Sequence, residues 1–118
     1  MKVDFIEDGQ GSAVLLIHST VAGNKQWRKL VGYLSPDYRV LAPNLFGYGT
    51  TPEWSKNRHQ TLIDQADLLA DFFEQNESIS IVGHSFGGSV ARMAAKKYPA
   101  KIKKLILVEP NPFYLLEH

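Results

Sequence analysis

The 118-residue chain contains no cysteine, which excludes disulfide bridges, thiolate metal ligands and a cysteine nucleophile. Neither sign of charge dominates, because 13 lysine and arginine residues balance 12 acidic residues and the formal net charge is +1. This balance provides no basic surface for nucleic acid or anionic lipid, and we expect neither as a partner. The 4 histidines are scattered without the spacing of a metal site, so we expect no bound metal and no cofactor.

Long apolar runs are also missing. No stretch approaches the roughly 20 apolar residues of a membrane span, and the first residues lack the apolar segment of a signal peptide. We therefore expect a cytoplasmic protein with no membrane partner. At this length one domain is the upper limit. Residues 116–118 are either natural sequence or the remnant of an expression tag, and the fold prediction does not depend on them.

Four short apolar runs are typical of buried β-strands, because each is too short for a helix and turn formers or proline flank most of them. These runs are Ala13–Ile17, Tyr38–Ala42, Ile79–Val82 and Leu105–Val108. Between them, apolar residues recur at helical spacing. The predicted helix faces are Trp27, Leu30, Val31 and Leu34; Leu62, Ala66, Leu69 and Phe73, capped by Thr61; and Val90, Met93, Ala94 and Lys97 within Phe86–Lys97.

Strands that alternate with helices predict the α/β class, with a mostly parallel sheet and flanking helices in three α/β/α layers. Pro99 is expected to end the last predicted helix. The polar, glycine-rich segment 43–59 is predicted to be a surface loop near the working edge of the sheet.

The most informative motif is G-x-S-x-G at residues 83–87, which joins the third predicted strand directly to a helix. The chain must reverse within a few residues, so small neighbours at Gly83 and Gly87 avoid clashes. The Ser85 hydroxyl would then stand above the sheet. The positive end of the following helix and the N–H of Phe86 could stabilise an oxyanion there. The pattern by itself also fits a glycine-rich turn whose serine caps the helix.

In this setting the sequence resembles the α/β hydrolases over nearly its whole length. Val14–His18 is similar to the strand that enters the family's oxyanion loop, and residues 42–50 are similar to its P-D-x-x-G-x-G-x-S loop, with Asn44 in place of a commonly structural aspartate. The resemblance implies a partial α/β hydrolase fold, in which residues 1–118 form the N-terminal part of a single domain. It also implies an esterase-like serine hydrolase that acts on a small ester-like substrate.

The resemblance implies a role for several individual residues. Ser85 would be the nucleophile, while the backbone N–H groups of Phe86 and Thr20 would form the oxyanion hole. Ser19 is a second candidate donor, because it replaces a glycine that the family usually has. Glu109 follows the last predicted strand and is a possible catalytic acid. The alternative is that its carboxylate only bonds nearby loop amides.

A serine nucleophile needs a general base, and the family places an acid and then a histidine after the serine. The only later histidine is His118, so we interpret the chain as truncated before the catalytic acid and histidine and expect very weak activity or none. His84 adjoins Ser85 on a tight turn where neighbouring side chains diverge. His18 is expected to make a structural hydrogen bond, and His59 to lie in a solvated loop.

Two other functions stay open at this point. A glycine loop at a helix N-terminus binds anions, so a nucleotide- or anion-binding module is possible, although residues 83–89 lack the lysine of a P-loop. The second is a catalytically dead hydrolase fold that acts as an interaction module. A sheet cut before its last strands exposes an edge, and we expect a homo-oligomer to form through that edge.

Overall fold

A computed structural model describes residues 2–108 and shows a five-stranded sheet in the order β1-β3-β2-β4-β5. The strands are β1 (Phe5–Asp8), β2 (Ala13–Ile17), β3 (Arg39–Pro43), β4 (Ile79–His84) and β5 (Ile102–Val108). Strands β2 to β5 run parallel, and β1 pairs antiparallel with β3. The mostly parallel α/β sheet is therefore confirmed. The sequence analysis missed β1, a short edge strand with few apolar residues.

The helices in this part of the chain agree largely with the periodicity. They are α1 (Arg28–Leu34), α2 (Leu62–Leu68), α3 (Ala70–Glu74) and α4 (Phe86–Lys97), with 3-10 turns at Gly23–Trp27 and Pro99–Lys101. The helix predicted around Leu69 is in fact two helices, because Leu69 leaves the helical conformation at φ −93° and ψ 6°. None of the described helices has the length and apolarity that crossing a bilayer requires.

Strand β2 is the centre of the sheet, and all of its residues are buried. Its side chains alternate between two hydrophobic clusters, as a strand's period of two requires. Leu15 and Ile17 belong to the cluster that α2, α3 and α4 cover. Val14 and Leu16 belong to the other cluster, together with Trp27 of the first 3-10 turn. The sheet is thus covered on both faces, which confirms the three layers.

The connections bring two strand ends together. The chain passes from β2 to β3 on one side, and β4 then pairs with the opposite side of β2, with Ile17 level with Gly83. In open parallel sheets, ligands bind outside the carboxyl ends of the strands at such a switch point. The segments that follow β2 and β4 are therefore the place to look for a site.

The segment between β3 and α2 is irregular, as predicted, but its beginning is not a surface loop. Asn44, Leu45 and Thr51 are buried. The prediction overlooked them because their burial depends on hydrogen bonds to other segments, among them a bond from the Asp4 N–H to the Thr51 hydroxyl at 2.9 Å. The later part of this segment is mostly exposed.

Strand β5 lies at the edge of the sheet with apolar side chains in solvent. Leu105, Ile106, Leu107 and Val108 are between 38% and 48% exposed. Within the described residues nothing pairs with the outer edge of β5. Within residues 2–108, β5 is thus an edge strand, as β1 is at the other end of the sheet.

Candidate active site

Ser85 occupies the turn between β4 and α4 in a conformation that few side chains adopt. Its φ is 56° and its ψ is −116°, and among the non-glycine residues described it alone has a positive φ. Such a conformation costs about 1–3 kcal/mol and persists where the surrounding structure enforces it. Its side chain is half-buried and makes no capping hydrogen bond to α4. The alternative in which the Ser85 hydroxyl caps the helix is therefore wrong.

Glycine is required on both sides of this serine. A Cβ added at Gly83 would lie 2.5 Å from the carbonyl oxygen of Gly87, and one added at Gly87 would overlap the carbonyl oxygens of Ile17 and His18. A Cβ at Gly88 would meet its nearest atom at 3.5 Å, an ordinary contact. The first two glycines therefore let the turn pack against itself and against the end of β2.

The start of α4 is directed at the turn. Ser85 is the N-cap residue of this 12-residue helix, and its carbonyl oxygen accepts the N–H of Gly88 at 2.9 Å. The N–H of Phe86 belongs to the first turn, where helical N–H groups have no partner within the helix. The helix dipole adds partial positive charge at this end. On the other side, the Ser85 N–H donates to Val108 of β5 at 3.2 Å, which ties the turn to the sheet.

His18, at the end of β2, has both ring nitrogens engaged with the backbone. The N–H of Leu45 donates to Nε2 at 3.0 Å, so the proton is on Nδ1, which donates to the Ser19 carbonyl at 2.7 Å. The ring is fully buried with its edge against Tyr48, and burial lowers the pKa of His18. His18 is therefore a neutral structural residue, as expected from its position.

The two N–H groups predicted to share the oxyanion hole with Phe86 differ in their environment. The N–H of Ser19 donates to Oε1 of Gln26 at 2.7 Å. The N–H of Thr20 makes no hydrogen bond within residues 2–108, although the Thr20 carbonyl accepts the Tyr48 hydroxyl at 2.6 Å. Within the described residues, the Thr20 N–H thus has no acceptor, whereas the Ser19 N–H already donates to Gln26.

Gln26 is a residue that the sequence analysis missed. Its Nε2 lies 2.9 Å from Nδ1 of His84, the residue before Ser85, and the two residues are 58 positions apart in the chain. The ring of His84 also lies with its edge towards Trp27, at 6.4 Å between centroids. No sequence motif marks Gln26, since a single amide next to an aromatic residue has no pattern of its own.

Asn44 shows why this chain carries an amide where aspartate is usual. Its Nδ2 donates to the Asp4 carboxylate at 2.9 Å, and its Oδ1 accepts the N–H of Asn24 at 2.8 Å. The same carboxylate accepts the N–H of Thr50 at 3.1 Å. An aspartate at position 44 would place a second carboxylate against Asp4. The amide therefore holds the segment after β3 onto the segment before β1.

An ion pair fixes the outer part of this segment. Arg58 donates to both carboxylate oxygens of Asp64 at 2.8 Å and lies 4.9 Å from the centre of the Trp54 ring. The Arg58 guanidinium and the backbone N–H of Thr61 hold the pKa of Asp64 far below its usual range. Thr61 and Asp64 also form a capping box, which confirms Thr61 as the cap of α2.

Phe46 and Trp54, in the segment between β3 and α2, pack edge to face at 5.4 Å between ring centroids. They line a groove of about 410 Å³ whose other walls come from the same segment, α2 and α3 rather than from the turn at Ser85. Glu109, the possible catalytic acid, and His118, the histidine that follows Ser85 in the sequence, lie outside the described part of the chain. Residues 2–108 contain no group of three side chains that could hold a metal ion.

A mostly parallel sheet in which strand β4 is followed by a strained serine and at once by a helix defines an α/β protein with a tight strand–serine–helix turn. A family model for the alpha/beta hydrolase fold matches residues 12–118. The chain belongs to the α/β hydrolase family.

The chain is similar in sequence to several curated enzymes. The cis-3-alkyl-4-alkyloxetan-2-one decarboxylase of Shewanella oneidensis is 30% identical over 122 residues, which cover 97% of this chain and 37% of that enzyme. The pimeloyl-[acyl-carrier protein] methyl ester esterase of Legionella pneumophila is 30% identical over 117 residues, or 98% of this chain and 45% of that enzyme. The chain thus spans about two-fifths of the length of these relatives.

A solved structure shows the same likeness. A thermophilic esterase from Thermogutta terrifontis superposes with a TM-score of 0.81 at 30% identity, covering 89% of this chain and 39% of the esterase. The α/β hydrolase fold and the resemblance of the sequence to this family are therefore confirmed.

Proposed function

We propose that this chain carries the nucleophile of a serine hydrolase of the esterase type, and that Ser85 attacks the carbonyl carbon of a small ester-like substrate. The observation that carries the proposal is the conformation of Ser85. A positive φ is maintained at a residue whose hydroxyl does not cap its own helix and which stands at the positive end of α4. Strain of this kind clusters at active sites, where it serves the mechanism.

The proposed first step is acyl transfer. The Ser85 oxygen forms a bond to the carbonyl carbon, the carbonyl π electrons move to its oxygen, and the N–H groups of Phe86 and Thr20 stabilise the resulting oxyanion. Collapse of this intermediate breaks the bond to the alkoxide and leaves an acyl group on Ser85; with no base assigned, the Ser85 proton passes to water and water protonates the alkoxide to the alcohol. Donors of this type each contribute about 100- to 1,000-fold in rate in known enzymes.

The proton of the Ser85 hydroxyl needs an acceptor, and the described histidines limit the choice. His18 is fully engaged with the backbone, Nδ1 of His84 accepts from Gln26, and His59 is exposed in the segment between β3 and α2. We assign no general base within residues 2–108 and keep Glu109 as a possible acid. Serine hydrolases without their base keep only a small residual rate. This chain by itself is therefore proposed to turn over very slowly.

Two of the relatives support an ester-like substrate. The Legionella pneumophila relative is a methyl ester esterase, and the Thermogutta terrifontis structure is an esterase. Because the chain spans about two-fifths of such relatives, the activity of a whole enzyme is part of the proposal.

The test is acetylation of the purified 118-residue chain by p-nitrophenyl acetate, followed by peptide mass mapping. We expect one acetyl group per chain, on Ser85, and slow release of it. Ser85→Ala should abolish the adduct, whereas the matched variant Ser89→Ala, one turn along α4, should retain it. Equal acetylation of Ser85→Ala and the unaltered chain would overturn the proposal. Fast multiple turnover would contradict the absence of a base.

We also propose that copies of this chain associate through the outer edge of β5. The support is the row of half-exposed apolar side chains from Leu105 to Val108, on a strand whose outer edge pairs with nothing within residues 2–108. Long, apolar, unpaired edges are the surfaces through which sheets pair between molecules.

A further inference from the structure

One side chain joins the end of β2 to the turn that carries Ser85. Gln26 lies on the 3-10 turn Gly23–Trp27 and is half-buried. Its Oε1 accepts the backbone N–H of Ser19 at 2.7 Å, and its Nε2 lies 2.9 Å from Nδ1 of His84. Both polar ends of the amide are therefore used.

The chemistry of these groups fixes the direction of both bonds. A backbone N–H can only donate, so the amide oxygen of Gln26 must face Ser19 and its NH₂ group must face His84. Nδ1 of His84 then accepts a hydrogen bond and carries no proton. Rotation of the amide by half a turn would set two donors against each other at Ser19, so the observed orientation is the one that both partners accept.

The turn that carries Gln26 is itself held firmly. The side chain of Asn24 donates to the Ala42 carbonyl of β3 at 2.9 Å, and its N–H donates to Asn44 at 2.8 Å. Trp27 is buried in the hydrophobic cluster beneath the sheet. Gln26 thus lies between two residues, Asn24 and Trp27, that are held in place by hydrogen bonds and burial, so its own position is fixed.

The two partners of Gln26 are the neighbours of the proposed reacting groups. Ser19 precedes Thr20, whose N–H is the proposed second oxyanion donor, and His84 precedes Ser85. We infer that Gln26 is a positioning residue that sets the spacing between the Thr20 N–H and the Ser85 hydroxyl by clamping the residue before each. This inference rests on the proposed function, since it assigns a role within the same site. Gln26 touches no reacting atom in this arrangement.

The experiment measures the second-order rate at which a fluorophosphonate labels Ser85, because the phosphoryl oxygen of the product occupies the position of the oxyanion. Gln26→Asn keeps the amide but is one methylene too short to reach both partners, and Gln26→Met keeps the length but makes neither bond. We expect each to label at least about tenfold more slowly, since small misplacements at a reacting centre cost up to about 100-fold. If only one of the two variants folds, its labelling rate alone tests the positioning role of Gln26.

Gln26→Glu supplies the rescue that separates positioning from simple support. It keeps the length and an acceptor for the Ser19 N–H, and Nδ1 of His84 can donate to the second carboxylate oxygen once it carries a proton. We expect its labelling rate to lie within about threefold of that of the unaltered chain. Loss of one oxyanion-hole donor, by comparison, lowers the rate about 100-fold. Gln75→Asn, the same change at an exposed position near the end of α3, should not alter the rate.

The outcomes distinguish the two claims. Labelling of the unaltered chain that is no faster than that of Ser85→Ala would overturn the proposed function and this inference with it. Labelling of Ser85 that exceeds that of Ser85→Ala, and that Gln26→Asn or Gln26→Met leaves unchanged, would overturn the positioning role alone. A loss of thermal stability with an unchanged labelling rate of the folded chain would assign Gln26 a purely structural role and also overturn the inference.

Discussion

At the scale of single residues, polar side chains around the switch point have a hydrogen-bond partner for every side-chain nitrogen and oxygen atom. His18 engages both ring nitrogens, and Asn44 uses its amide oxygen and its amide nitrogen. A buried polar group left without a partner costs about 1–3 kcal/mol, so these commitments fix both the rotamer and the protonation state. The site is therefore built on residues that cannot easily be exchanged.

The commitment of His18 predicts a pH dependence of stability. Its pKa is lowered in the folded state by burial, so the unfolded chain gains a proton first as the pH falls below about 6.5. The contribution of neutral His18 is thus fully present above that pH and is progressively lost below it. His18→Gln lacks this titration, so the difference in free energy of unfolding between the two chains should shrink from pH 7.5 to pH 5. Urea denaturation at both pH values measures it, and a difference that grows towards pH 5 would contradict the assignment.

The amide of Asn44 predicts a second effect. Asn44→Asp would remove the donor to Asp4 and place two carboxylates in contact, which should cost about 1–3 kcal/mol of unfolding free energy at pH 7. Repulsion raises the pKa of the pair in the folded state, so the loss should diminish as the pH falls towards 4. Urea denaturation at both pH values checks this. Asn57→Asp, in an exposed part of the same segment, is the control and should be neutral.

At the scale of elements, the unit of β4, the turn and α4 is what the sequence specifies most clearly. The helix predicted at Phe86–Lys97 has these bounds in the structure, because a glycine-flanked serine starts it and Pro99 follows its end. The helix before β4 was predicted less well. Its apolar spacing continues through Leu69, and only tertiary packing decides that α2 stops there and α3 begins.

The glycines of the turn give a matched pair of variants. Gly87→Ala would drive a Cβ into the carbonyl oxygen of Ile17, and backbone atoms must move to relieve it. We expect a loss of at least about 2 kcal/mol in unfolding free energy. Gly88→Ala meets only ordinary contacts, and alanine favours a helix by about 1 kcal/mol over glycine, so its stability should be unchanged or slightly higher. Thermal or urea unfolding compares them, and equal losses would refute the packing argument.

At the scale of the whole molecule, the sheet formed by residues 2–108 has two edge strands, β1 and β5, which differ in polarity. Strand β1 covers the edge of β3 with partly polar residues, whereas β5 presents apolar ones to solvent. The α/β class, the central strands and the serine turn were predictable, because each leaves a local pattern in the chain. Strand β1 and Gln26 were not, since one depends on pairing with β3 and the other on two contacts at long range.

The exposed apolar side chains of edge strand β5 predict self-association. Light scattering at increasing concentration should show dimers or larger assemblies of the unaltered chain. Ile106→Lys places a charge in the middle of β5 and should shift the population to monomer. The same change at Ile63, which is 50% exposed on α2, is the control and should leave the assembly intact. A chain that stays monomeric at high concentration would count against association through β5.

The central claim is that the Ser85 oxygen stands beside two waiting N–H groups at the end of a parallel sheet. A crystal structure of the chain after treatment with a fluorophosphonate tests this most directly. We expect the phosphorus atom bonded to Oγ of Ser85, with its oxygen about 2.7–3.1 Å from the backbone nitrogens of Phe86 and Thr20. An unmodified Ser85, or an adduct whose oxygen faces away from both N–H groups, would contradict the account.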